Sequence, residues 1–399
     1  MNPIDENTLK GFKYFQPLWP LLRKLPPDQS HPPRKLHYDQ YLSLILFYFF
    51  NPVLTGLRSI QKASQLEKVQ KVLGVESTSL GSLSEAGNVF DPTLLPPMVK
   101  ALAQQALPQK SDPLLKDLGK TLVAFDGSLL PALPKMLWAL WLDQDHKAIK
   151  LHLEFDLLKG VPTQVALTDG NTNEKTVLRN KLSSSKIYVL DAGYAQYSLL
   201  HDIHKARSCF VCRVRDNATW DPLYEKELSP QDRKAGVQKD WVVRLGSEAK
   251  KDELPIPVRV IEIHHFDPIS RPRPSRVSSK KTFRTSTSDY VFLIVTDLLE
   301  LPAEFIALLY RYRWQIELFF RWFKCILGCK HFLSLSENGL AIQLYCALIA
   351  SLLISLWTGR KPDKRTLEML CLHMQGWASD KELEDHLASL KKNEMKKTS

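Results

Sequence analysis

Residues 304–327, EFIALLYRYRWQIELFFRWFKCIL, carry the reading on which the fold turns. At about 100° per residue, Tyr310, Arg313, Glu317 and Lys324 fall within an arc of roughly 60° on a helical projection, and Arg321 joins the same stripe. Phe305, Leu309, Tyr312, Ile316, Phe319, Phe323 and Leu327 lie opposite. The segment is therefore expected to be one helix with a packed face and a face on which an acid stands among cations and a phenol. A salt-bridged surface helix has the same pattern, because Glu317 can pair with Arg313 or Arg321 one turn away. Spacing alone does not separate the two.

Working outward, two further acids share a local setting. Asp126 ends an apolar run in VAFDGS and Asp191 does so in VLDAGY, each with a glycine within two residues. An acid at that point sits on a tight turn at a sheet edge, where its carboxylate reaches a ligand while the strand stays buried. A single acid so placed is ordinarily a turn former or a helix cap. Two of them, with Glu317 downstream, point to a shared site.

The surrounding pattern reads as an α/β fold, a mixed sheet flanked by helices. Residues 121–125, 148–156, 163–167, 187–190 and 210–214 are short β-rich runs, with a helical stretch over 196–206. Residues 241–244, 258–263 and 290–295 add strand-like pieces to a mostly β insertion over 216–300. Within it, RPRPSRVSSKKTFR (residues 271–284) has six basic residues and no acid, and reads equally as a loop that orders on an anionic partner and as a solvated linker. Residues 1–118 are expected to form a helical N-terminal domain, a candidate for DNA binding, whose basic and apolar segment TGLRSIQKASQLEK (residues 55–68) fits a DNA-reading helix and a solvated amphipathic face alike. Residues 119–215 and 301–358 are the two parts of the central unit, and 359–399 is a charged helical tail.

The chain has 399 residues, 44% hydrophobic and 24% charged, which excludes a mainly disordered or disulfide-scaffold protein. Its 54 Lys and Arg against 43 Asp and Glu give a net charge of +11. That excess favours a polyanionic partner, since phosphate contacts release counterions. The N-terminus lacks a signal-peptide pattern, and six scattered cysteines suit a reducing, cytoplasmic setting. The apolar runs over 41–54 and 340–357 are read as buried helices, not membrane spans.

Tyr310, Arg313, Glu317 and Lys324, at spacings of three, four and seven, resemble the Y-R-E-K signature of the transposases of insertion sequence family 4. Asp126-Gly127-Ser128 resembles that family's D-G-S/T motif, and Asp191-Ala192-Gly193-Tyr194 its D-x-G-Y/F motif, in the same order. The resemblance covers about residues 120–357. It implies a ribonuclease-H-like catalytic core with the β insertion placed before the Glu-bearing helix, and a D-D-E triad of Asp126, Asp191 and Glu317 holding Mg²⁺ or Mn²⁺, two ions in all. It assigns Tyr310, Arg313 and Lys324 to the DNA backbone near the reaction; Arg321 is added from the helical stripe. Implied too are cut-and-paste transposition in a prokaryotic cytoplasm, partners in the terminal inverted repeats and target DNA, and a homodimer, because two ends must meet. Hairpin formation at the ends is that family's usual route. Three carboxylates are hard oxygen ligands suited to such ions, and paired divalent ions activate an oxygen nucleophile and stabilise the leaving oxygen.

Other readings stand beside this one. A related metal nuclease cuts without strand transfer, and a non-catalytic derivative only binds DNA. His201, His204, Cys209 and Cys212 have zinc-like ligand types, but residues three apart on a strand diverge, so Cys209 and Cys212 are expected on opposite faces. Cys325 and Cys329 are expected to be partly buried free thiols. His264 and His265 are expected to split between two faces of a strand, and Trp314 to pack. Glu154 and Asp156, on one strand face, form an acid–base pair in a hydrolase reading.

Overall fold

The central β-rich runs, residues 121–125, 187–190 and 210–214, become strands because they find apolar cover on both faces. The structure is a computed structural model and describes residues 12–25, 36–108, 118–131, 138–141, 143–247, 251–264, 291–326 and 332–398, with residues 115 and 136. The basic segment 271–284, His265, Leu327 and Cys329 lie outside the described residues. Ten strands form one sheet: β1 (Thr121–Pro131), β2 (Leu140–Trp141), β3 (Asp143–Asp156), β4 (Val161–Asp169), β5 (Lys186–Leu190), β6 (Cys209–Val214), β7 (Trp220–Glu225), β8 (Val237–Leu245), β9 (Val258–Ile263) and β10 (Phe292–Thr296). Strand β3 lies antiparallel between β1 and β4, whereas β5 and β6 run parallel to β1. The order β4-β3-β1-β5-β6 is that of a ribonuclease-H-like core, the fold expected from the sequence. Strand β10 adds antiparallel to β6, and β9, β8 and β7 follow it outward. The β-rich pieces after residue 216 thus extend the same sheet.

Alternation along these strands feeds two separate cores. Val123, Phe125, Tyr188, Leu190, Phe210 and Cys212 face helices α7 (Glu174–Asn180) and α8 (Tyr197–Lys205), whose Leu178, Leu199 and Ile203 are fully buried. Leu122, Ala124, Ile187, Val189 and Val211 point to the other face. Strands buried on both faces read as continuous apolar runs, which is why VAF and YVL show no polar alternation.

The second face is covered by α10 (Ala303–Tyr312), α11 (Trp314–Ile326) and α12 (Glu337–Thr358), and its core continues into the N-terminal helices. These are α1 (Trp19–Leu22), α2 (Tyr38–Phe50), α3 (Leu57–Ser64), α4 (Glu67–Leu73), α5 (Leu80–Val89) and α6 (Leu95–Gln105); α13 (Lys364–Met374) and α14 (Asp380–Thr398) close the chain. Helix α12 is apolar all round because α2, α5 and α6 pack about it, and 94% of its most apolar window is buried within the protein. The run over 340–357 is thus a core helix, as expected, and the run over 41–54 is one as far as Phe50, beyond which Pro52 and Val53 form an exposed turn.

The expected single helix over 304–327 is instead two. Arg313 N–H donates to Tyr310 O at 3.1 Å and Ile316 N–H to Arg313 O at 3.2 Å, three-residue steps that tighten the backbone at Arg313 and separate α10 from α11. A uniform 100° projection misses this break.

The entry of α10 is anchored from strands β8 and β9. Pro302, its N-cap, offers no side-chain acceptor, so Asp232 of α9 (Pro230–Lys234) supplies one, accepting the Glu304 N–H at 2.7 Å. Arg259 of β9 is buried, pairs through Nε with Asp240 of β8 at 3.1 Å, and donates to the carbonyls of Leu298 at 3.0 Å and of Leu301. Lys226 Nζ donates to Leu299 O at 2.6 Å. Arg259→Met would strand the Asp240 carboxylate, and is expected to cost about 3–5 kcal/mol in urea unfolding, while Arg259→Met with Asp240→Leu restores most of it. A single-variant loss below about 1 kcal/mol would show that the pair is not desolvated.

Candidate active site

Asp126 and Asp191 arrive from neighbouring parallel strands. The β1–β5 ladder pairs Val123 with Tyr188 and Ala124 with Val189. Two residues further on, Asp126 and Asp191 stand abreast where β5 ends, and alternation turns both side chains to the face of Ala124 and Val189. Neighbouring strands lie about 4.8 Å apart, so the two carboxylates are close without chain distortion. Each is tethered at its root: Gly127 N–H donates to Asp126 Oδ1 and Ala192 N–H to Asp191 Oδ1, both at 2.8 Å.

Helices α10 and α11 bring the third acid. Phe305, Leu309, Ile316, Phe319 and Phe323 lock them onto the sheet, which leaves Tyr310, Arg313 and Glu317 at the carboxylates. The Tyr310 hydroxyl is 3.5 Å from Asp191 Oδ1, a long contact, and the Arg313 guanidinium lies 5.7 Å from the Tyr310 ring centroid. Arg313 Nη2 donates to Glu317 Oε1 at 2.6 Å, so the i to i+4 pairing foreseen for a surface helix forms here at the sheet instead. Arg321 and Lys324 stand exposed further along α11.

The electrostatics follow from burial. Desolvation pushes the Asp126 carboxyl up to about 6; the Gly127 N–H and Arg313 pull it down, and Glu174 and Glu317 add to the rise. Burial works against the Arg313 charge, yet Tyr310, Asp191 and Glu317 together lift its pKa above the ordinary value. Arg313 is therefore the counter-ion of the acids. Among the described residues, no three His, Cys, Asp or Glu side chains form a ready metal-holding group. The donor set still fits a hard divalent cation: the acids offer only carboxylate oxygen, and a cation would offset the repulsion that Glu174 and Glu317 add to the larger effect of burial on Asp126.

Glu174, unremarked in the sequence reading, ties the two aspartate loops together. Its Oε2 accepts the Tyr194 hydroxyl at 3.0 Å, Lys150 Nζ is 3.4 Å from Oε1, and a Cβ at Gly127 would stand 2.8 Å from Oε1. The glycine after Asp126 and the tyrosine after Asp191 thus serve one carboxylate. The only sequence trace of it is the Asn173 cap, which accepts the Lys175 N–H and starts α7.

The competing groups separate. Cys209 packs toward one core and Cys212 lies in the other, as expected of a strand, and His204 pairs with Asp297 at 2.9 Å. Glu154 is buried against Lys186 Nζ, 2.7 Å from both its oxygens, and Asp156 accepts the N–H groups of Leu158 and Lys159 in a turn, so both are structural acids, not a hydrolase pair. Cys325 is exposed where partial burial was expected, because it falls on the solvent side of α11. His264 pairs with Glu262 at 2.8 Å, and Trp314 is half-buried.

Gly127→Ala is expected to push Glu174 off Tyr194 and cost about 1–2 kcal/mol in chemical unfolding. In a Glu174→Ala background the same change should cost almost nothing, a non-additivity that a double-mutant cycle reads directly. Equal costs in both backgrounds would rule out the Glu174 contact as the reason for the glycine.

A family model described as "Transposase DDE domain" matches residues 117–353. A putative transposase of Sinorhizobium fredii is 30% identical over 210 residues, 52% of this chain and 53% of that protein. The probable transposase for insertion sequence element IS5377 of Geobacillus stearothermophilus is 25% identical over 224 residues, 56% of this chain and 52% of that protein. The putative transposase for insertion sequence element IS4SA of Synechocystis is 20% identical over 349 residues, 86% of this chain and 91% of that protein. The chain spans about half the length of the first two.

Proposed function

Because the chain belongs to the transposase DDE-domain family, we propose that it is a DNA transposase that cleaves strands at the terminal inverted repeats of an insertion sequence and joins the freed ends to target DNA. The observation that carries the reading is the matched register of Asp126 and Asp191 on neighbouring parallel strands, with Glu317 and its Arg313 counter-ion delivered by the helices packed on that face.

In this reading Asp126, Asp191 and Glu317 hold two divalent ions, Mg²⁺ or Mn²⁺. When bound, such ions supply an activated oxygen nucleophile and stabilise the leaving oxygen. Arg313 passes its fork from Glu317 to the non-bridging oxygens of the DNA phosphate, for which a planar guanidinium is the suited partner. That exchange frees Glu317 as charge enters the site. Tyr310, buried under Arg313, fixes the guanidinium plane, and the exposed Lys324 and Arg321 take backbone phosphates further along the duplex. Burial of Asp126 keeps bulk water from competing for its carboxylate. The helical segment 1–118 and the basic stretch 271–284 are the candidates for reading the ends, and a second copy of the chain holds the partner end.

The test is an Mg²⁺-dependent assay on DNA carrying the element's own ends, with pre-cleaved ends and plasmid as a second substrate. Cutting and joined products are expected from the wild-type chain. Asp126→Asn, Asp191→Asn and Glu317→Gln should each lower cutting by at least about a thousandfold, the equivalent of several kcal/mol of transition-state stabilisation. Cutting without joining would instead identify a nuclease, and unchanged cutting by Glu317→Gln would remove the catalytic assignment.

A further inference from the structure

The row of residues that holds the two aspartates has a third member. The β5–β6 ladder pairs Val189 with Val211 and Leu190 with Cys212, so the next position sets Arg213 abreast of Asp191 just as Asp191 stands abreast of Asp126. Parallel strands in register project matched residues to the same face, and Arg213 shares the parity of Val211, which lies in the core beneath α10 and α11. Three adjacent strand ends therefore present acid, acid and cation in one line. No motif in the sequence marks Arg213.

Its surroundings suit an anion. The guanidinium carbon lies 4.4 Å from the centroid of the Phe292 ring on β10, a cation–π contact. Arg213 Nε is buried without a hydrogen-bond partner, and the guanidinium forms no ion pair with any carboxylate among the described residues. A buried donor left open costs free energy and calls for an acceptor. The Nε of Arg313, on the facing helix boundary, is open in the same way. Burial raises the pKa of the Tyr310 phenol, and the charges of both Arg313 and Arg213 lower it.

We propose that Arg213 is a phosphate-binding residue of the site, which donates to a non-bridging oxygen of the DNA phosphate that Arg313 holds from the opposite side. The sheet supplies one fork and the helix the other, so the phosphate is gripped between β6 and α11 in front of the acids. The inference rests on the transposase reading and adds to it a cation from outside the Tyr310, Arg313, Glu317 and Lys324 set.

The test pairs a protein change with a DNA change. A duplex spanning the bond that the wild-type chain cuts is made with its ordinary phosphodiester and with an uncharged methylphosphonate at that bond, and equilibrium binding is measured by anisotropy across a salt series. Arg213→Gln is expected to weaken binding of the ordinary duplex by roughly 10- to 100-fold, to lower the salt slope by about one unit, and to have almost no effect on the methylphosphonate duplex. Arg213→Lys, which keeps the charge but not the fork, should keep the slope, and it serves as the folded comparison should the Gln variant misfold. Equal losses on both duplexes, an unchanged slope with Gln, or a slope lowered as much by Lys as by Gln would overturn the role of Arg213 while leaving the transposase reading intact. A wild-type chain that neither binds nor cuts such duplexes would overturn the transposase reading itself, and this one with it.

Discussion

Carboxylates gathered on a desolvated surface repel one another and lose hydration, so they stay together only where positive charge is built in among them. Around Asp126, Asp191 and Glu317 that charge is Arg313, held above its ordinary pKa by Tyr310, Asp191 and Glu317 against the pull of burial. Much of the local architecture follows from this requirement. The parallel register of β1 and β5 sets the aspartates abreast, the turn of backbone at Arg313 swings its side chain over them, and the apolar faces of α10 and α11 hold it there.

The strands after residue 216 take part in this arrangement from a distance. Asp232 caps α10, while Arg259 and Lys226 hold the carbonyls of residues 298–301. The helix that presents Tyr310 is thus fixed at its start by the extended sheet and along its length by the core. Its position is set by these hydrogen bonds and not by the connecting chain alone.

The parts of this arrangement that the sequence shows plainly are those carried by local pattern. Apolar runs ending in Asp-Gly-Ser and Asp-Ala-Gly-Tyr announce strand ends with turns, and the core helices announce themselves by composition. What the chain does not show depends on partners far away along it. Glu174 meets Gly127 and Tyr194 only after α7 folds back on β1, and Arg259 finds Asp240 through strand pairing. Arg213 looks like any basic residue in a strand until register places it beside Asp191. The break at Arg313 is hidden for a related reason: tertiary contacts choose three-residue over four-residue steps at a position whose neighbours all favour helix.

The central claim is that three acids distant along the chain act as one cation-binding group. Binding of Mn²⁺ followed by electron paramagnetic resonance, with no DNA and no turnover, tests it most directly. The wild-type chain is expected to bind the ion, and Asp126→Asn, Asp191→Asn and Glu317→Gln, each still folded, to weaken the affinity by at least about tenfold. Wild-type affinity retained in any one of the three would contradict it.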